Sequence, residues 1–294
     1  MRRNSLIAAA QRVLPPVVPE GMAANPIKGK RSDVPRSRTT ILALRYQDGI
    51  MCAADRKTSG WGYTIISQES RKIYQVSPTS VLLGSGVVGY IQEIRDSLTM
   101  RCTSFLRSYG LPISVQGQAK MLARWCNWYR RMEGWDFSFG GILAGVNLDG
   151  ATHIIAVEED GSRIEFHDYF ASGSGGDGAT VLLDAHWKPG LTEEQAAGLA
   201  VEAVYHAAFR DSGSSDVRVA TPTIAVVGET GVRFMPEELI RLISFKVLME
   251  KMGVTDIAGM MLADPRGEGD ADLPPEPGPV SARAERRLKS RRRK

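Results

Sequence analysis

Two apolar runs, Thr40 to Tyr46 and Ile50 to Ala54, flank Asp48-Gly49, and that spacing predicts a β-hairpin. Short runs at Thr64 to Ser67, Lys72 to Val76 and Val81 to Ser85 predict three further strands. The period then lengthens. Residues from about Val88 to Tyr109 and from Ser114 to Met132 repeat their apolar positions at helical spacing, with Gly110-Leu111-Pro112 as the break. Strand-like runs return near Phe137 to Asn147, His153 to Glu158 and Arg163 to Asp168, and helices are expected over Gly178 to His186 and Thr192 to Arg210. A strand over Val217 to Val227, the turn Gly228-Glu229-Thr230-Gly231 and a short strand over Val232 to Met235 precede a last helix, Pro236 to Met252, with proline in its first turn. Strands, two helices, strands and more helices predict α+β layers, because a parallel sheet needs a helix after each strand.

Outside that region the periodicity fails. Residues 1–38 hold Pro15, Pro16, Pro19, Pro26 and Pro35, and only Asn4 to Leu14 has the spacing of a short helix. Beyond Leu262 the run ADPRGEGDADLPPEPGP gives way to an Arg/Lys-rich end. The chain is thus expected to divide into a leading segment 1–38, a folded body 39–255 and an extension 256–294. With 294 residues, 43% apolar and 24% charged, the body can bury one large core.

Charge alters this picture only when divided along the chain. The net +4 is the balance of +6 on residues 1–38, +7 on residues 281–294 and −9 on residues 39–280 between them. A nucleic-acid domain carries its basic patch on the folded body, so basic ends on an acidic body read as solvated extensions, and no nucleic-acid partner is expected. Cys52, Cys102 and Cys126 lack metal-type spacing, and an odd count argues against a disulfide framework. A reducing, cytoplasmic location is expected. No apolar run has the length of a membrane span, and Leu6 to Ala10 is too short for a secretory core, so no membrane partner is expected.

The residue with the most chemistry is Thr39. A threonine hydroxyl is a weak nucleophile without an adjacent base, and its own α-amino group, titrating at about pH 8, is one such base if the chain is cut after Arg38. Asp55 follows sixteen residues later across the predicted hairpin, so both reach one end of the same sheet. Each residue also has an ordinary reading. Thr39 and Thr40 suit a strand, Asp55-Arg56-Lys57 a solvated strand end, and Lys72 a surface position. Gly86 or Gly173 suits a turn, and Asp211 with Ser214 a helix end. His153, His167, His186 and His206 have no paired metal spacing, so neither a metal nor another cofactor is expected.

Five segments carry a resemblance: RTTILALRYQDGIMCAADRK (38–57), ESRKIYQ (69–75), GSGVVG (84–89), ASGSGGDG (171–178) and FRDSGSS (209–215). In that order they are similar to the signature blocks of proteasome β-type subunits, over about residues 39–255. The resemblance implies an αββα sandwich, two antiparallel sheets between helix layers, of the N-terminal nucleophile hydrolases. It implies a threonine endopeptidase in which Thr39 is the nucleophile, Asp55 and Lys72 pair beside it, and Ser174, Asp211 and Ser214 hold the free amino group and the catalytic water. The backbone N–H of Gly86 is implied as oxyanion donor, Ser59 and Val88 as backbone contacts to an extended peptide, and Thr58 and Gly84 as lining for the side chain before the cut. Gly84 at the base implies a roomy pocket that tolerates bulky apolar residues.

The implied partners are identical β subunits in stacked rings, an α-type ring, an ATP-driven unfoldase and unfolded polypeptide substrates. Trp125, Trp128 and Trp135 fit either subunit contacts or the core. Two features depart from the family pattern. Arg38 stands where glycine usually precedes the nucleophile, and the segment Thr58 to Arg71 has one extra residue and carries Trp61. The first leaves open a noncatalytic ring subunit that keeps its leading segment. A third reading assigns the basic ends to an acidic surface or nucleic acid and predicts binding that salt weakens.

Overall fold

The hairpin at Asp48 forms as its pattern predicts in a computed structural model of the chain. The structure describes residues 36–37, 39–60, 64–134, 137–211, 214, 220–251 and 253. Strands β2 (Ile41–Tyr46) and β3 (Gly49–Ala54) pair antiparallel from Ile41↔Ala54 to Tyr46↔Gly49. The hairpin's two turn residues are Gln47 and Asp48, one position earlier than the Asp48-Gly49 signal. Every residue of β3 is buried, so both faces of this strand are covered.

Both faces are covered because the hairpin lies in the middle of the molecule. One sheet runs β11 (Tyr169–Ser172), β2, β3, β12 (Thr223–Gly228), β13 (Gly231–Phe234), all antiparallel. The other is built on β7 (Ser80–Val87), followed by β8 (Phe139–Val146), β9 (Thr152–Glu158) and β10 (Arg163–Phe166). The free edge of β7 is shared. β6 (Ile73–Ser77) lies along its first half, and β1 (Arg36–Ser37) pairs with Gly86 and Val87 in its second. A separate hairpin joins β4 (Thr58–Gly60) to β5 (Thr64–Ser67), with β1 beside β4.

Strand alternation distributes the side chains into three apolar layers. Ile41, Ala43, Ile50 and Cys52 meet Val81, Leu83, Ile142 and Ala144 between the sheets. On the outer face of the first sheet, Leu42, Leu44 and Met51 pack under α3 (Gly176–His186), α4 (Glu193–Arg210) and α5 (Glu237–Lys251). On the outer face of the second sheet, Leu82, Leu143 and Ile155 pack under α1 (Val88–Tyr109) and α2 (Val115–Glu133). Helix, sheet, sheet, helix is the expected four-layer αββα sandwich.

Helix ends follow from local chemistry. Thr192 caps α4 through a capping box with Gln195, and Gly110 ends α1 at φ 69° with its N–H on the Leu106 carbonyl. Trp125 is 1% exposed, which assigns it to the core and not to a subunit contact. Trp128 is half-buried, while Trp61 and Trp135 lie outside the described residues. The expected strand Arg163 to Asp168 stops at Phe166, and the chain crosses to the other sheet as β11, which the pattern did not separate. The expected strand from Val217 begins only at Thr223 in the described residues; 217–219, like Asn4 to Leu14, lie outside them.

Candidate active site

The site is assembled at one end of the central sheets, where β2 begins and β3 ends. Thr39 and Thr40 immediately precede β2 and are both fully buried. Asp55 follows β3, and its N–H donates to the Thr40 carbonyl at 3.1 Å, so the hairpin register itself brings this carboxylate to the threonines. Lys72 precedes β6 and reaches across from the other sheet. These are not a strand end in solvent and a surface lysine: Asp55 is 1% exposed and Lys72 is 3% exposed.

Lys72 Nζ donates to Asp55 Oδ1 at 2.7 Å. The same oxygen accepts from Thr40 N at 2.9 Å, while Oδ2 accepts from Lys57 N at 3.0 Å. Burial pulls the Lys72 ammonium below the usual lysine range, and the charge and hydrogen bond of Asp55 oppose that pull. A buried cation pulled both ways by burial and by a carboxylate marks a candidate functional residue.

A second group of side chains surrounds the nitrogen of Thr39. Thr39 N donates to Ser174 Oγ at 3.0 Å, and Ser174 Oγ donates to Asp211 Oδ2 at 2.6 Å. Ser214 Oγ donates to the same Asp211 oxygen at 2.9 Å and lies 2.6 Å from Thr40 Oγ1. A hydroxyl has one hydrogen to give, so with Ser214 donating to Asp211, Thr40 must donate to Ser214. The donation runs from Thr40 through Ser214 to Asp211, and from Thr39 N through Ser174 to the same carboxylate.

Local backbone positions these groups. Asp211 is the C-cap of α4, its N–H on the Ala207 carbonyl, which fixes the carboxylate at the helix end. Ser174 sits in the loop between β11 and α3. There Gly173 has φ +89°, and a Cβ on it would lie 2.1 Å from the Thr39 carbonyl oxygen, so only glycine lets this loop close over the threonine. The glycines of this loop place α3's start at Gly176, two residues before the expected Gly178.

Gly86 lies within β7 at φ +116°, and a Cβ there would meet the Ser138 carbonyl oxygen at 2.3 Å. It pairs with Ser37, so the chain two residues before Thr39 runs antiparallel along the Gly86 edge. Gly84 is buried two residues earlier, and the roomy space expected above it is instead taken by Ile91, whose Cγ2 lies 2.7 Å from where a Cβ would stand. Val88 opens α1 and Thr58 opens β4, on either side of β1. Ser59 is within β4, and Arg38 lies outside the described residues.

Sequence reasoning brought Thr39, Asp55, Lys72, Ser174, Asp211, Ser214 and Gly86 to this end of the molecule. It gave no part to Thr40, to the Lys57 N–H or to Gly175, whose Cβ would lie 2.1 Å from Thr40 Oγ1. The available signal was the consecutive pair Thr39-Thr40 at a strand start, since neighbours in a strand face opposite sides. The histidines lie outside the constellation: His153 contacts Glu165 at 2.6 Å and His206 contacts the Gly178 carbonyl at 2.9 Å. No cluster of potential metal ligands occurs among the described residues.

Two antiparallel sheets clasped between helix layers, with a threonine at the head of a central strand, define the sandwich of the N-terminal nucleophile hydrolases. The family model of proteasome subunits matches residues 37–222, and the chain belongs to that family as a β-type subunit. It is 31% identical over 212 residues to proteasome subunit beta 2 of Thermomonospora curvata, covering 70% of this chain and 74% of that protein. To proteasome subunit beta type-5-B of Arabidopsis thaliana it is 34% identical over 183 residues, 62% of this chain and 65% of the relative. The proteasome subunit beta of Methanosphaerula palustris is 29% identical over 178 residues, 60% of this chain and 82% of the relative. Among the described residues no helix is long and apolar enough to cross a membrane.

Proposed function

We propose that this chain is the precursor of a threonine endopeptidase, with residues 1–38 removed after Arg38 to leave Thr39 as the amino terminus of a catalytic body, 39–255, that carries the extension 256–294. The observation that carries the reading is the hydrogen bond from Thr39 N to Ser174 Oγ at 3.0 Å, backed by Asp211. The nitrogen that becomes the base is already held by a donor-acceptor chain ending on a carboxylate, the arrangement an ammonium prefers.

The chemistry follows from this geometry. The free amine takes the proton of the Thr39 hydroxyl, and Oγ attacks the scissile carbonyl carbon. The Gly86 N–H stabilises the resulting oxyanion, because glycine leaves the main chain open to the substrate. The C–N bond then breaks, the leaving amine takes the proton, and an ester remains on Thr39. Water, deprotonated by the same amine and positioned by Ser174, Asp211 and Ser214, releases it. Lys72, held in place by Asp55, supplies the positive charge that favours the alkoxide. Substrate lies as an added strand between β7 and β4, the course that β1 takes, with Ser59 and Val88 as backbone contacts and Thr58 and Gly84 beside the residue before the cut.

Such a nucleophile suits enclosure. The assembly in this reading is a cytoplasmic stack of rings of identical β subunits, capped by an α-type ring and fed unfolded polypeptide by an ATP-driven unfoldase. A second reading, favoured by Arg38 in place of the usual glycine, is a noncatalytic ring subunit that keeps residues 1–38. Intact mass and amino-terminal determination of the assembled protein separate the two. Loss of residues 1–38, abolished by Thr39→Ala, is expected for self-processing, whereas loss that persists in Thr39→Ala assigns the cut to another protease acting after arginine. An uncleaved assembly without peptidase activity overturns the catalytic reading.

A further inference from the structure

A polar cavity of about 620 Å³ opens at the end of the sandwich opposite Thr39, where the β2–β3 and β12–β13 turns meet the start of β9. Its size suits a small ligand. Arg45 lines it, six residues and about 20 Å along the strand from Thr39, so the cavity is separate from the cleft at Gly86. The guanidinium of Arg45 has five N–H groups, and its bonds leave one edge open. Nη2 donates to the Thr152 carbonyl at 2.7 Å and Nη1 to the Thr152 hydroxyl, so one residue of β9 takes the end of the fork. Nε is buried and has no acceptor among the described residues. A buried donor without an acceptor destabilises the fold, and a ligand oxygen removes that cost. The side edge, Nε–H beside an Nη–H, has the spacing that receives a carboxylate in two parallel hydrogen bonds.

The charges around the cavity are divided. Arg233 on its wall is neutralised by Glu193 at 2.7 Å, whereas Arg45 pairs with no carboxylate among the described residues. Asp48 and Glu229, in the two turns, are exposed lining residues that pair with no cation among the described residues. Arg45 and Val227 both pair with Ile50, so two strand spacings, about 10 Å, separate the arginine's strand from the one that leads into Glu229. About three extended residues span that distance. A plain anion bound at Arg45 is repelled by the two carboxylates, while a molecule with a carboxylate at one end and an ammonium at the other satisfies both sides.

We propose that this cavity binds a short zwitterionic peptide, with its carboxylate on Arg45 and its ammonium on Asp48 and Glu229. Under the proposed function such peptides are the products of the reaction. The binding chemistry itself involves no residue of the Thr39 site and holds whether or not that threonine is catalytic.

The test uses the full chain in its assembled form and titrates trialanine, trialanine amide, acetyl-trialanine and inorganic phosphate by calorimetry. Trialanine is expected to bind. The two end-blocked peptides and phosphate are expected to bind about tenfold more weakly or worse, because each loses charged hydrogen bonds at one end. Arg45→Gln, and separately Asp48→Asn combined with Glu229→Gln, are each expected to weaken trialanine by a similar factor. In the second variant the difference between trialanine and acetyl-trialanine should also vanish, since the groups that read the ammonium are gone. No heat of binding up to about 10 mM trialanine overturns the proposal, as does phosphate or a blocked peptide binding as tightly. Binding that neither variant changes also overturns it, by placing the peptide in the cleft at Gly86. Should circular dichroism find Arg45→Gln unfolded, the variant at the two exposed turn positions decides alone.

Discussion

Asp55→Asn isolates the charge of the buried pair while keeping the shape of the side chain. The aspartate accepts from Thr40 N, Lys72 Nζ and Lys57 N at 2.9, 2.7 and 3.0 Å. Asparagine can keep its oxygen toward Thr40 and Lys72 only by turning its NH2 toward the Lys57 N–H, donor against donor, which costs about 1–3 kcal/mol. The larger effect falls on Lys72, 3% exposed, which loses its counter-charge. A buried ammonium that loses its bonded carboxylate costs about 3–5 kcal/mol. It can escape by releasing its proton, and at pH 7 that route costs about 5 kcal/mol, the gap to an unfolded lysine titrating at about 10.4. Both routes agree on a charge contribution of about 3–5 kcal/mol.

The pH dependence gives the sharper check. Burial lowers the folded-state value of Lys72, so between that value and the unfolded one the unfolded chain binds the extra proton and stability rises with pH. Asp55→Asn moves the folded value further down and widens that interval. By pH 9 the release route costs only about 2 kcal/mol, so the variant's deficit should shrink as pH rises. Urea unfolding followed by tryptophan fluorescence, at matched protein concentration because association shifts apparent stability, measures both quantities. A deficit below about 1 kcal/mol at pH 7, or one that grows toward pH 9, refutes the assignment of a buried, charged, mutually dependent pair.

Gly86→Ala should reduce peptide cleavage by about a hundredfold or more and lower stability by about 1–3 kcal/mol, because its Cβ meets the Ser138 carbonyl oxygen at 2.3 Å in a left-handed conformation; a fluorogenic peptide assay and a thermal melt read the two effects. Thr40→Val and Ser214→Ala remove opposite ends of one hydrogen bond of 2.6 Å. Their double-mutant cycle should return a coupling of about 1 kcal/mol, and a coupling near zero removes Thr40 from the network around Asp211. In the precursor, Thr39→Ala should leave the mass unchanged from that of the full chain, as intact mass spectrometry reads directly.

Where the chain's own periodicity decides an element, the sequence reading and the structure coincide. Helix α1 spans Val88–Tyr109 as expected, because its apolar positions repeat over several turns and Gly110 supplies the left-handed stop. The miss at Phe166 is of another kind. From Arg163 to Ser172 no glycine or proline marks a break, yet β10 and β11 belong to different sheets, bridged by the Phe166 and Phe170 rings stacked at 4.3 Å. A change of sheet is a tertiary event that leaves no local mark. At the site, Thr39, Asp55 and Lys72 were legible because their segments carry a resemblance, while single-residue chemistry would have left Lys72 on the surface. Thr40 was not legible at all, since its part depends on Ser214, 174 residues away.

The same long-range closure bears on the order of events in the proposed maturation. Before any cut, Thr39 N is an amide with one hydrogen, and that hydrogen already points to Ser174 Oγ. The Gly173 loop is closed over the Thr39 carbonyl, and Asp211 is fixed by the end of α4. Cleavage after Arg38 would therefore change the chemistry of one nitrogen without requiring the surrounding groups to move. The new ammonium gains two hydrogens beside a serine and a carboxylate, and the strand that left vacates the Gly86 edge for substrate. A site preorganised in this way loses little to reorganisation when it reacts. On this argument, the slow step of maturation is the attack on the Arg38 carbonyl and not a rearrangement afterwards, so activity should appear in step with the freed amino terminus; a lag between the two, followed by amino-terminal labelling and peptide hydrolysis on the same samples, would contradict it.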